Sequence, residues 1–163
     1  MHDVVLSSLK AINFSIPIFT IIYLTILHTF FSNLRYPDKL LLGLSVYLAV
    51  SLLRMLAMYF ITFEPPQDMI LLVDPVTSRF YPDPGFAKDL FFSGHVSTLT
   101  LMVLLEKNPI IKWIKIAATI IVAILLAWQH VHYTLDIIVA PFVTLGVYKL
   151  FCYWLLPTHR ASE

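Results

Sequence analysis

Three ionisable side chains fall where a lipid-embedded chain rarely carries any. His95, in Phe92-Ser93-Gly94-His95, and the pair His132 and Asp136, in His132-Tyr133-Thr134-Leu135-Asp136, lie just inside the ends of two hydrophobic segments. Such groups are costly in hydrocarbon and usually functional when present. Two imidazoles and a carboxylate can together hold and transfer a phosphoryl group, because imidazole serves both as nucleophile and as general acid or base.

Spacing assigns provisional roles. His132 and Asp136 are four positions apart, so on a helix they share a face. The carboxylate then accepts from one ring nitrogen, fixes the tautomer and leaves the other nitrogen free to attack. His95 follows Gly94, which lets a substrate approach the backbone closely. Ser93 is a candidate N-cap, and a helix start offers free N–H groups and a favourable dipole to an anion. His95 near a bound phosphate would protonate a leaving alkoxide and later deprotonate an incoming hydroxyl. The same three residues also fit a zinc site of two histidines and one aspartate, or a proton relay in a transporter subunit. Arg54 interrupts an apolar run and is expected to face the bundle interior, toward an acidic partner or a substrate phosphate. Lys88 and Arg79 are further phosphate candidates or ordinary solvated charges. His28 reads as a hydrogen-bonded packing residue, His130 as a turn residue, Lys149 as a snorkelling lysine, and Cys152 as packing filler.

The elements that must position these groups are set by composition. The chain has 163 residues, 59% hydrophobic and 13% charged, where a soluble domain carries roughly 25% charged residues. An all-α, polytopic transmembrane bundle of a single domain (1–163) is expected. Five segments approach the ~20 apolar residues that cross a bilayer: 11–31, 40–63, 90–105, 110–129 and 133–156. Each must be helical, since lipid cannot satisfy open backbone groups. The first is too long for a signal-peptide core and is expected to remain as a span. A net charge of +1 gives no hint of nucleic acid, and one cysteine excludes an intramolecular disulfide.

Basic residues mark cytoplasmic loops. Arg35 and Lys39 lie between spans one and two, Lys107, Lys112 and Lys115 around the connection of spans three and four, and Arg160 in the tail. With five crossings all fall on one side. The loop 64–88 is acidic on balance and holds five prolines, which suits a rigid cover with an apolar stretch at 69–73. The turn before span five has no Lys or Arg. The amino terminus, the loop and that turn are thus expected outside, with His95 ~8 Å below the outer surface at 1.5 Å per residue and His132 and Asp136 at similar depth.

Two segments carry a family resemblance. Asp89-Leu90-Phe91-Phe92-Ser93-Gly94-His95 resembles the Asp-x-x-x-Ser-Gly-His motif, and His132-Tyr133-Thr134-Leu135-Asp136 the His-Tyr-Thr-x-Asp motif, of the sphingomyelin synthase-like branch of the type 2 phosphatidic acid phosphatase superfamily. The stretch from Arg54 to Pro65-Pro66 is more weakly similar to the family's arginine-to-proline segment. Departures occur at Ala87 and Lys88, at Val96 and at Pro141, and five spans are counted against the family's usual six. The resemblance places a catalytic core at 54–151 and implies metal-independent chemistry without cofactors, through a phosphohistidine. His132 would be the nucleophile, Asp136 its orienting carboxylate, and His95 the acid and base. Arg54, Lys88, Asp89, Ser93, Gly94 and Tyr133 would form the substrate site. Expected partners are a phospholipid donor, a lipid alcohol acceptor or water, and the membrane itself.

Overall fold

Long apolar runs in this chain become helices because a helix alone satisfies its own backbone in hydrocarbon. A computed structural model describes residues 3, 6, 10–60, 68–79 and 91–155, with only the backbone of residue 77. Five long helices are complete among the described residues: α1 Ser15–Asn33, α2 Pro37–Phe60, α3 Gly94–Leu104, α4 Pro109–Trp128 and α5 Thr134–Leu155, with one 3-10 turn at Thr77–Arg79. No strand forms among the described residues. Hydroxyls inside the spans bond back to the preceding turn, as when Thr25 Oγ1 donates to the Ile21 carbonyl at 2.7 Å and Thr29 Oγ1 to Thr25 at 2.7 Å. Pro109 begins α4 behind the Asn108 N-cap, whose Oδ1 accepts from Ile110 N–H at 2.9 Å. At that position proline sacrifices no intrahelical hydrogen bond.

Four of the five, α1, α2, α4 and α5, are long and apolar enough to cross a membrane. Leu24, Leu52, Ile114 and Phe142 on these helices are 60–71% exposed. Apolar surface of that extent has no place in water. Exposed Trp113 and Trp154 near one end and Tyr59 and Trp128 near the other suit the two interfacial belts of a bilayer. The protein is an integral membrane protein.

The third helix departs from its expected span of 90–105. It starts at Gly94 and runs 11 residues, ~16 Å at 1.5 Å per residue. Phe92 with its φ of 32° and the Ser93 cap delay the helix start. This short helix is the hub of the bundle: it packs against all four others, burying Val96, Leu99 and Leu101 almost completely.

The two ends of the bundle sort as the charge pattern expects. At one end Lys39 Nζ reaches the Leu105 carbonyl at 3.4 Å, and Lys107 lies 5.0 Å from the Tyr36 ring, so the α1–α2 and α3–α4 connections are neighbours. At the other, Gln129 bonds to Phe14 and Ile70, which gathers the start of α1, the 68–79 strap and the α4–α5 turn. Lys115 departs from its expected place in the basic rim. It is 4% exposed and bonds Glu106 Oε2 at 2.7 Å and Thr29 Oγ1 at 2.8 Å. A paired ammonium can be buried where an unpaired one cannot. His28 is not a packed core residue either: its side chain is 43% exposed, 3.9 Å from Glu106.

Candidate active site

The first half of the site is built by the start of α3. Ser93 is its N-cap as expected, with Oγ accepting from Val96 N–H at 3.4 Å. That cap fixes Gly94 and His95 in the first turn, at the positive end of the helix dipole. Immediately before it, buried Phe92 adopts the left-handed region with φ 32°. A bulky residue there is strained. The kink turns the Phe92 carbonyl toward Arg54, whose Nε donates to it at 3.1 Å. Gly94 lies directly beneath the Arg54 guanidinium, so closely that a Cβ would overlap it. Glycine here leaves room for the guanidinium, which a Cβ would push aside, and serves close approach rather than an unusual φ.

The second half is built by the α4–α5 turn. Val131 N–H donates to the Leu126 carbonyl at 3.1 Å and His130 N–H to Ala127 at 3.0 Å, with His130 left-handed at φ 58°. This is a Schellman stop with histidine in the place usually held by glycine. His130 is thus a turn residue, as its sequence position suggests. α5 then starts at Thr134, so His132 lies outside the helix and the expected shared face with Asp136 does not form. Asp136 instead reaches back, with Oδ2 accepting from Tyr133 N–H at 3.2 Å. A carboxylate three residues into a helix closes half a capping box in this way. Asp3 supports the same helix start, accepting from Thr134 N–H at 2.8 Å. The Asp136 Oδ1 is buried and has no hydrogen-bond partner among the described residues.

These halves meet. Ser93 N–H donates to the Asp136 carbonyl at 3.2 Å, so the two histidine segments are stitched backbone to backbone, and Arg54 joins them through Phe92. Arg54, Gly94 and His95 line a cavity of about 600 Å³, together with Ser97, Tyr23 and Asp74. Its remaining wall is mostly apolar and includes Phe30, Leu44 and Tyr47, which are also exposed on the outer surface. The cavity is thus walled by α1, α2 and α3. His132 and Asp136 are 2% and 1% exposed and lie outside its lining, as do Ser93 and Tyr133. Lys88 and Asp89, the remaining candidate substrate ligands, lie outside the described residues, as does most of the proline-rich loop. Among the described residues no group of three His, Cys, Asp or Glu side chains is placed to hold a metal ion, so the zinc arrangement considered for His95, His132 and Asp136 is not formed.

Three participants were not visible in the sequence. Gln129 is fully buried; its carbonyl and side chain hold Phe14 N–H (2.8 Å), the Ser15 hydroxyl (3.1 Å) and the backbone of Ile70 and Leu71. It thereby ties the 68–79 strap to the turn that carries His132. Tyr23 and Asp74 are the others: the Tyr23 hydroxyl donates to Asp74 Oδ2 at 2.6 Å. A glutamine at the foot of an apolar run is the one local signal, since a polar side chain there needs partners.

Residues 88–155 match the family described as PAP2 superfamily C-terminal. That match is a likeness to the PAP2 superfamily over less than half of the chain. It takes in α3, α4 and α5, and with them His95, His132 and Asp136; Arg54 and the α1–α2 side of the cavity lie before it. Members of that superfamily are phosphatases and phosphotransferases. No curated protein and no solved structure matches the chain.

Proposed function

We propose that this protein is a membrane phosphotransferase. It moves a phosphorylated head group, of the phosphocholine or phosphoethanolamine type, from a phospholipid to a lipid alcohol such as ceramide or diacylglycerol. The observation that carries the reading is the junction of Ser93 N–H with the Asp136 carbonyl, beside Arg54 and His95 on a mostly apolar cavity. A lipid enters between α1 and α2 with its tails along the apolar wall and its phosphate at Arg54 and the α3 N-terminus. His132 attacks phosphorus while His95 protonates the departing lipid alkoxide. The acceptor hydroxyl then loses its proton to His95 and displaces His132, so the head group changes lipids and both imidazoles return to their starting states. In this reading Asp136 is the carboxylate that orients the His132 ring, its Oδ1 accepting no hydrogen bond among the described residues. One phosphodiester replaces another, so neither nucleotide, metal nor other cofactor enters the balance.

A mainly apolar approach favours a lipid alcohol over water as acceptor, which supports transfer over the lipid phosphatase or phospholipase C-like reading. The site belongs on the extracytoplasmic side, since Arg35, Lys39 and Lys107 crowd the opposite end. The test is purified protein with labelled phospholipid, with and without ceramide or diacylglycerol, in the presence of a chelator. A new phospholipid supports the proposal. Release of free head group or phosphate alone would assign hydrolysis, loss of turnover on chelation would assign a metal, and no product with any lipid would leave the proton-relay reading.

A further inference from the structure

We infer that Tyr36, Lys39 and Lys107 form a binding site for the phosphate of an anionic phospholipid, at the end of the bundle remote from His95. The inference is independent of the reaction proposed above. Two connections far apart in sequence meet there, with the Lys39 and Lys107 ammonium groups 5.6 Å and 5.0 Å from the centroid of the one Tyr36 ring. Like charges so placed oppose each other. Lys115 adds to the positive field at Lys39, and Glu106 counters it. An anion between the two ammonium groups replaces that repulsion with a charge-assisted hydrogen bond on each side.

The parts of this corner are fixed in place. Tyr36 N–H donates to the Asn33 carbonyl at 2.8 Å, and the Tyr36 carbonyl accepts from Lys39 N–H at 3.1 Å and Leu40 N–H at 3.2 Å. Lys39 Nζ is steered by the Leu105 carbonyl at 3.4 Å and by Asn33 Oδ1 at 3.5 Å, which leaves one of its three donors for a ligand. On the other connection, Glu106 Oε1 accepts from the N–H groups of Lys107 and Asn108 at 3.0 Å each, while Oε2 is taken by Lys115 at 2.7 Å. That carboxylate is spent on shaping the turn that carries Lys107. Asp38, in the first turn of α2, is exposed. The surroundings set the source of the phosphate. Leu34, Ile110 and Trp113, beside these connections, are exposed and form an apolar rim. A lipid lays its tails against that rim, where a free phosphate gains nothing. Lysines at a membrane boundary draw anionic lipids in this way, whereas a zwitterionic lipid brings its own cation toward the two ammonium groups.

The test is native mass spectrometry of the purified protein in neutral detergent, reading bound phosphatidylglycerol against phosphatidylcholine. Wild type is compared with Lys39→Gln/Lys107→Gln and with Lys112→Gln/Lys149→Gln, which lose the same charge, the second pair away from Tyr36. A lysine beside anionic lipid is worth about 5-fold in affinity, so the first pair should lower the preference for phosphatidylglycerol about 30-fold. The second should lower it no more than about 3-fold, since remote charges are screened. Equal losses would assign a diffuse surface field and overturn the site, as would a wild type without preference. Inorganic phosphate separates the sources: it should leave the thermal midpoint unchanged where phosphatidylglycerol raises it, and equal stabilisation would overturn the lipid assignment. If Lys39→Gln/Lys107→Gln does not fold, Lys107→Gln keeps the Lys39 bond to Leu105 and should lower the preference about 5-fold; an unchanged preference would overturn the site.

Discussion

Gly94 and Arg54 show how narrow the tolerances are at single positions. Because a Cβ on residue 94 would occupy guanidinium space, Gly94→Ala should displace Arg54 and cut turnover at least 10-fold, with far-ultraviolet circular dichroism unchanged. Arg54→Lys should not rescue, since an ammonium lacks the planar fork that bonds the Phe92 carbonyl and still presents donors to phosphate. His132→Ala should abolish turnover without unfolding the protein, and acid-labile radiolabel trapped on wild type should be missing from the variant. Full activity would remove His132 as nucleophile. At this scale the sequence was readable at Ser93, whose hydroxyl caps α3 as its place in the motif predicts. It misled where spacing alone was used. His132 and Asp136 are four apart, yet Tyr133-Thr134-Leu135-Asp136 is also a capping pattern, and the backbone N–H of Tyr133 takes the carboxylate.

Helices and their caps set the next scale. Ser93→Ala removes the one side-chain cap of α3 and should cost about 1 kcal/mol, read as a lower thermal midpoint in detergent, with His95 activity falling alongside. Gln129→Ala leaves several buried groups of the strap and the α1 start unpaired, at about 1–3 kcal/mol for each orphaned group. Limited proteolysis should then cut within 68–79 while α4 and α5 stay protected; protection of the strap in that variant would show that other contacts hold it. Helix positions were legible from apolar runs and from Asn108-Pro109. The late start of α3 was not, because the left-handed Phe92 answers to Arg54, 38 positions earlier. The reach of Asp3 to Thr134, across 131 positions, and of Gln129 to Phe14 are likewise tertiary choices that no local pattern encodes.

Across the whole molecule, the end remote from His95 is fastened by Glu106 and Lys115. Burial alone would raise the Glu106 carboxyl. Hydrogen bonds from Lys115 Nζ and from the Asn108 and Lys107 N–H groups, with the Lys115 charge, outweigh it and hold the group below its ordinary 4.5. A folded carboxyl that binds its proton less readily than the unfolded one lends stability above the ordinary value and loses it as pH falls through the depressed one. The thermal midpoint should therefore drop as pH falls from about 5 toward 3, and Glu106→Gln should flatten that drop; an unchanged slope would exclude the latch. Lys115→Met alone should cost about 3–5 kcal/mol by stranding a buried carboxylate, most of it recovered by adding Glu106→Gln. The short central helix has a last consequence. α1 has 19 residues and α3 only 11, a shortfall of ~12 Å, and the Lys39 bond to Leu105 sets the lower end of α3 level with its neighbours. The tip that carries His95 therefore lies below the ends of its longer neighbours, and in the proposed reaction a lipid must leave the head-group plane to reach it. Local thinning of the bilayer beside α3 would shorten that path, so turnover should rise in membranes of shorter acyl chains.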